Sequence, residues 1–211
     1  MASMLIHLAA AYRLQQEGGL LHDLIKDPAS FYLGVAAPDS VNLDGFASKE
    51  IRWEAHQRAQ TPKEWYVRAG VFYHRLKEEH FPDQDLLLGY LVHILTDAAF
   101  DETFHDPIWV SAAIRSGGKL SRQDAGWAEC DRFDQSQLSE GWWLDTVRPA
   151  LTAAKPIAIG PISEDLLRRQ QKYLLERFSR RVDDTPAQII TQELIWTLGD
   201  YVGSVMESMI K

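Results

Sequence analysis

Between Leu86 and Phe100 the chain reads Leu-Leu-Leu-Gly-Tyr-Leu-Val-His-Ile-Leu-Thr-Asp-Ala-Ala-Phe, a run in which Asp97 is the one charged side chain. Wound at 3.6 residues per turn, its apolar residues cover almost the whole circumference, the pattern of a helix buried on all sides. The run is shorter than the ~20 residues that span a bilayer, so it reads as a core helix. His93 and Asp97 are four residues apart and therefore share a face. A carboxylate in such a helix leaves water, which is tolerable only when it is hydrogen-bonded, paired or set against a cation. Gly89, one turn before His93, takes a side chain away from that face. Two readings follow with equal weight: a His–Asp hydrogen bond tying two helices together, or part of a metal site.

The rest of the chain predicts helices as well. Residues 4–17 place Leu5, Leu8, Ala9 and Tyr12 on one face, carry His7 in the opening turns and stop at Gly18-Gly19. Residues 29–37 run into Ala37-Pro38-Asp39-Ser40, where the pre-proline restriction ends or bends a helix and sets Asp39 at a loop mouth or helix end. Thr61-Pro62-Lys63-Glu64 combines a capping hydroxyl, an N1 proline and an N3 glutamate, predicting a helix to about His80. Asp83 caps the apolar helix, Ser163 opens a helix to about Arg181, and Thr185-Pro186 predicts a last helix ending near Met209. Residues 101–160, broken by Pro107, Gly117-Gly118, Pro149 and Pro156, read as short helical pieces and loops bordering a cleft. No sustained period-2 run of β-branched residues occurs. The expectation is an all-α, multi-helix bundle with residues 1–211 in one domain, a normal length for a single core.

Charge and cysteine content narrow the chemistry. A formal net charge of −8 makes the surface repel phosphate backbones, which argues against a nucleic-acid polymer as partner. Cys130 is the single cysteine, so internal disulfides and multi-thiolate metal sites are excluded, and a metal would bind through nitrogen and oxygen. The N-terminus shows no basic segment followed by a long apolar run, so the expected address is cytoplasmic, without stable membrane insertion. Asp39 and His56 are the natural additional ligands to His93 and Asp97, because four N/O groups on three segments can close around a divalent ion and leave room for water.

His7-Leu8, then Phe31-Tyr32-Leu33-Gly34-Val35-Ala36-Ala37-Pro38-Asp39-Ser40, then His56, then Gly89-Tyr90-Leu91-Val92-His93-Ile94-Leu95-Thr96-Asp97 form an ordered set of four blocks. Together they resemble the zinc-dependent phospholipase C family over nearly half the chain. The resemblance implies an all-helical fold, with Asp39, His56, His93 and Asp97 around one zinc and with His7 and Asp97 contributing to a second. In that family the second position also takes the free amino terminus of a processed secreted chain, whereas here residues 1–6 precede His7. A further family metal takes a histidine shortly after the His-x-x-x-Asp helix, which His105 matches, and then a His-x-x-x-Glu pair. No histidine follows His105, so Glu129, Asp131 and Asp134 are the carboxylates left to substitute. One or two divalent ions are expected. A divalent ion lowers the pKa of its water to about 7 and neutralises phosphoryl charge, so the expectation is hydrolysis of a small phosphoester or phospholipid-like substrate, with Asp39 also accepting a proton from the attacking water.

Two alternatives accompany this reading. Leu21-His22-Asp23-Leu24 resembles the adjacent His-Asp motif of the HD phosphohydrolases, although the upstream candidate His7 is closer than that family's spacing. A helical protein that keeps a metal without turnover is the other. His74 and His80 lie among charged residues and read as solvated. Trp109, Trp127, Trp142 and Trp143 read as core residues, with a cleft rim as the second use.

Overall fold

The computed structural model describes residues 2–16, 18–45 and 47–210. Among them are ten α-helices: α1 (Met4–Gln15), α2 (Pro28–Ala36), α3 (Lys49–Ala55), α4 (Pro62–Glu78), α5 (Gln84–Thr103), α6 (His105–Arg115), α7 (Arg122–Gln137), α8 (Arg148–Ala153), α9 (Glu164–Arg177) and α10 (Gln192–Ile210). A 3-10 turn, Pro38–Asn42, follows α2, and a π-helical turn, Trp142–Val147, leads into α8. The described residues hold no β-strand, only an isolated pair between Ile159 and Ile162, so the fold is all-α.

Side chains cap the helices where the sequence signals them. Thr61 and Glu64 exchange reciprocal hydrogen bonds in a capping box at α4, Asp83 accepts from the Leu86 amide at α5, and Ser163 accepts from the Leu166 amide at α9. The first helix ends at Gln15, and Glu17, its expected last residue, lies outside the described residues.

Two expectations need correction. Residues 101–160 are largely helical, in α6, α7, the π turn and α8; Pro107 and Pro149 sit in the first turns of α6 and α8, where a missing N–H costs nothing. The last helix does not begin at Thr185-Pro186. The amides of Gln188, Ile189 and Ile190 instead donate to one oxygen of Glu129, a fully buried carboxylate on α7, and α10 starts only after Thr191, whose hydroxyl accepts from the Leu194 amide. A tertiary acceptor for three successive N–H groups outweighed the local proline signal.

The apolar helix α5 lies at the centre, with every residue from Leu86 to Phe100 buried. It packs closest against α2. A Cβ at Gly89 would run into the Phe31 carbonyl oxygen, and one at Gly34 into that of Leu86, so two glycines let the helix backbones touch. This approach brings the Val35 carbonyl of α2 within 2.7 Å of Nδ1 of His93. Gly89→Ala is therefore expected to cost about 3 kcal/mol in urea unfolding, because neither backbone can give way. Gly70→Ala, in the open middle of α4, should instead gain up to ~1 kcal/mol. Equal effects at the two positions would contradict this packing.

Candidate metal centre

Three helices and the 3-10 turn deliver five of the singled-out residues to one place. His7 comes from α1, Asp39 from the turn that Pro38 starts, and His93 and Asp97 from α5. His56 is the C-capping residue of α3; its sequence surroundings are polar, but the end of the helix turns the ring inward to 1% exposure. Nε2 of His7 lies 3.3 Å from Oδ1 of Asp97, Nε2 of His56 lies 3.2 Å from Oδ1 of Asp39 and 3.8 Å from Oδ2 of Asp97, and Nε2 of His93 lies 3.8 Å from that same Oδ2. The His7 and His93 rings stack with centroids 3.8 Å apart. The His7, Asp39 and His93 ligand atoms all approach within 4.8 Å of one another, and so do those of His56, His93 and Asp97.

Hydrogen bonds outside the cluster decide which ring nitrogens face into it. The Val35 carbonyl can only accept, so Nδ1 of His93 carries the proton and its Nε2 presents a bare lone pair. The Arg52 carbonyl, 2.9 Å from Nδ1 of His56, orients that ring in the same way. Burial, followed by the neighbouring His7 imidazole, pushes the His93 pKa down to about 3, so the ring is neutral at pH 7. Asp97 is held well below the usual carboxylate range: burial opposes its ionisation, and the imidazoles of His7 and His93 overcome it. The Ala2 amide donates to its Oδ1 at 2.9 Å.

Two acceptors therefore face each other in the dry interior. Nε2 of His93 and Oδ2 of Asp97 have no hydrogen-bond partner among the described residues, nor does either ring nitrogen of His7. Each such orphan costs roughly 1–3 kcal/mol. The donor set is one that zinc accepts, and two ligands of a tetrahedral ion with bonds of ~2.0–2.1 Å stand about 3.3 Å apart, close to the His56–Asp39 and His7–Asp97 separations. His56 fits the same picture. Burial works against its charge, but the Asp39 hydrogen bond and charge raise its pKa, so a proton or a cation belongs between Nε2 and that carboxylate.

Asp39 is the member that reaches outward. It is 21% exposed, while the side chains of His7, His93 and Asp97 are fully enclosed. It lines a cavity of about 340 Å³ formed with the N-terminal segment, α7 and α9. Burial, the largest single effect, pushes its pKa up, yet the contact with His56 and the neighbouring His93 and His7 imidazoles together outweigh it and keep the carboxyl below its ordinary value, ionised at neutral pH.

The remaining candidates lie elsewhere. His105 is in neither group of close ligand atoms; it stacks on Trp109 at 4.4 Å, and its Nδ1 is 3.1 Å from Oδ1 of Asp106. His22 and Asp23 are exposed on a turn, with Nδ1 of His22 at the Gln15 carbonyl. His74 and His80 are exposed. Glu129 is committed to three amides, Asp131 to Arg177 at 3.2 Å, and Asp134 accepts from the Ser3 hydroxyl at 2.6 Å. Trp109, Trp142 and Trp143 are core residues, whereas half-buried Trp127 edges the cavity. Sequence reasoning passed over the two orienting carbonyls, which carry no residue signature, and the α9 face Gln170, Tyr173, Leu174 and Arg177, whose i, i+3, i+4, i+7 spacing marks a common wall of the cavity.

Comparison with known proteins gives no match to any family description, to any curated protein or to any solved structure.

Asp134 supplies a test of the cavity wall. Burial pushes its pKa up to about 8, partly offset by the Ser3 hydroxyl, so the folded protein holds a proton that the unfolded chain releases near pH 4. Between about pH 4 and 8 the unfolded state binds fewer protons, and this residue's contribution to stability falls as pH rises. In metal-free protein the unfolding midpoint of Asp134→Asn should gain on that of wild type from pH 5 to pH 8; a pH-independent difference would refute the neutral carboxyl.

Proposed function

We propose that this protein is a divalent-metal-dependent hydrolase of phosphoesters, with zinc as the expected ion, on the plan of the zinc-dependent phospholipase C enzymes that its sequence blocks resemble. The supporting observation is the buried contact between the unprotonated Nε2 of His93 and the carboxylate of Asp97, which lacks a proton between its partners. A His–Asp hydrogen bond would satisfy the pair, but the one ring proton of His93 is spent on Val35.

His56, His93, Asp97 and Asp39 would hold one ion, with His7 and Asp97 as the start of a second position. A bound divalent ion supplies a water of lowered pKa and neutralises charge on a phosphoryl oxygen. The protein's own groups do the rest. The Val35 and Arg52 carbonyls hold two imidazoles in the ligating tautomer, and the apolar walls of α5 keep solvent from competing for them. Asp39 is ionised, has its Oδ1 3.2 Å from Nε2 of His56 and is open to the cavity, so it can accept a proton there. A metal kept only for stability needs no open edge, and Asp39 provides one. Among the described residues no helix is long and apolar enough to cross a membrane, which suits a phosphoester that reaches the site from water.

Elemental analysis of protein purified without added metal should find at least one zinc or other divalent ion per chain. Asp97→Asn should lose it, and His22→Ala should keep it. Chelation should lower the thermal midpoint of wild type and leave that of Asp97→Asn unmoved. Metal-free protein of undiminished stability that takes up no ion would overturn the metal centre. Metal-loaded protein should hydrolyse p-nitrophenyl phosphate or bis-p-nitrophenyl phosphate, and Asp39→Asn should cut kcat/KM by about 100-fold or more. A loaded but inert protein would leave metal binding without catalysis.

A further inference from the structure

Two side chains outside the cluster hold the backbone of His56. Helix α3 has seven residues, too short to be stable by itself, and its last carbonyls find no donor within it. From Arg52 to His56 every carbonyl nevertheless has a donor. Those of Arg52, Trp53 and Glu54 accept locally, from the amides of His56, Arg58 and Gln57. The last two take tertiary donors. The Ala55 carbonyl accepts from the phenol of Tyr90 on α5, and the His56 carbonyl accepts from the indole Nε1 of Trp65 on α4 at 2.7 Å.

Both donors are enclosed: Tyr90 is fully buried and Trp65 is 2% exposed. The Phe72 ring stacks on Tyr90 at 5.0 Å, and the Arg58 guanidinium lies over the Trp65 ring at 4.8 Å, so packing fixes each donor. The chain they grip is strained. Gln57, directly after His56, has φ +49°, a left-handed conformation that a residue with a Cβ adopts only at a cost. Such a residue persists where its surroundings over-determine it.

The same two bonds set the ring against its partners. Tyr90 lies three residues before His93 on α5, which also carries Asp97, so the phenol ties the His56 segment to the helix that bears two other candidate ligands. The Arg52 carbonyl turns the His56 ring, but it belongs to the same short helix and moves with it. The bonds from Tyr90 and Trp65 come from other helices and therefore fix where the ring stands.

We propose that Tyr90 and Trp65 are positioning residues of the metal centre: by holding the Ala55 and His56 carbonyls they keep Nε2 of His56 in ligating position, 3.2 Å from Oδ1 of Asp39 and 3.8 Å from Oδ2 of Asp97. The consequence for metal affinity rests on the metal-centre reading, whereas the placing of the ring does not.

Tyr90→Phe deletes one hydroxyl and keeps the ring, and Trp65→Phe deletes the indole donor, so either variant carries the test. Zinc affinity, measured by competition with a chromophoric chelator, should weaken by about 10- to 100-fold in each, as when a group that orients a ligand is removed. Tyr66→Phe is the control: its hydroxyl also joins α4 to α5, at Glu102, and its loss should leave zinc affinity unchanged. A double-mutant cycle separates positioning from loss of stability. In a His56→Ala background Tyr90→Phe should weaken zinc no further, since the ring it places is gone. Equal weakening with and without His56 would give Tyr90 a merely structural role and overturn the proposal, and so would wild-type affinity in both phenylalanine variants. Metal-free protein reads the placing alone. The His56 imidazole should give one set of NMR signals in wild type and in Tyr66→Phe, and broadened or doubled signals in Tyr90→Phe and Trp65→Phe. An undisturbed His56 ring in those two would overturn the proposal as well. Wild type that takes up no zinc, with the His56 signals disturbed in the variants as expected, would instead remove the metal centre and leave the positioning standing.

Discussion

The hydrogen bond from Nδ1 of His93 to the Val35 carbonyl is the constraint on which the centre depends. It takes the one proton of a neutral imidazole and aims the bare nitrogen at Asp97. It forms only because α2 and α5 approach backbone to backbone, and that approach exists only because Gly34 and Gly89 face each other's neighbouring carbonyls. Backbone contact, tautomer and ligand direction thus follow from two missing side chains. The Arg52 carbonyl repeats the arrangement for His56 from the last turn of α3, so two of the three imidazoles are oriented by main-chain atoms that no side-chain substitution removes.

Placing this cluster in the core goes against the general economy of folding. A dry carboxylate needs compensation, and the surrounding imidazoles supply it only partly. The surroundings leave little room for relief by water, since His7, His93 and Asp97 are fully enclosed by helices α1, α2 and α5. Each orphaned nitrogen and oxygen is therefore a standing cost met elsewhere, by the continuous apolar packing of α5 and its neighbours. Polar atoms left unpaired in a well-packed interior call for an explanation, and the proposed metal centre is one that satisfies them.

Much of this was legible in the sequence, for identifiable reasons. Helix α5 and the anomaly of Asp97 show in a window of fifteen residues, and the caps at Thr61, Asp83 and Ser163 act through neighbours three residues away, so local reading finds them. What escaped depends on distant partners. The Thr185-Pro186 signal is a sound local cue overridden by Glu129, about sixty residues back in the chain. His56 could be named as a ligand candidate, but a window that sees Glu54 and Arg58 does not show that helix α3 ends there and turns the ring inward.

The N-terminal segment connects the two halves of this geometry. Within two residues the Ala2 amide donates to Asp97 in the buried cluster, and the Ser3 hydroxyl donates to Asp134, which lines the cavity. The two carboxyls are thus bridged by one short stretch of backbone, yet their environments push them to opposite protonation states: Asp97 ionised among imidazoles, Asp134 kept neutral chiefly by burial. Coulomb repulsion between these two carboxyls is thereby avoided, and the negative charge stays where a cation would sit. Asp39, ionised and 21% exposed, lines the same cavity as Asp134 and also contacts His56 of the buried cluster, so cluster and cavity meet at one carboxylate.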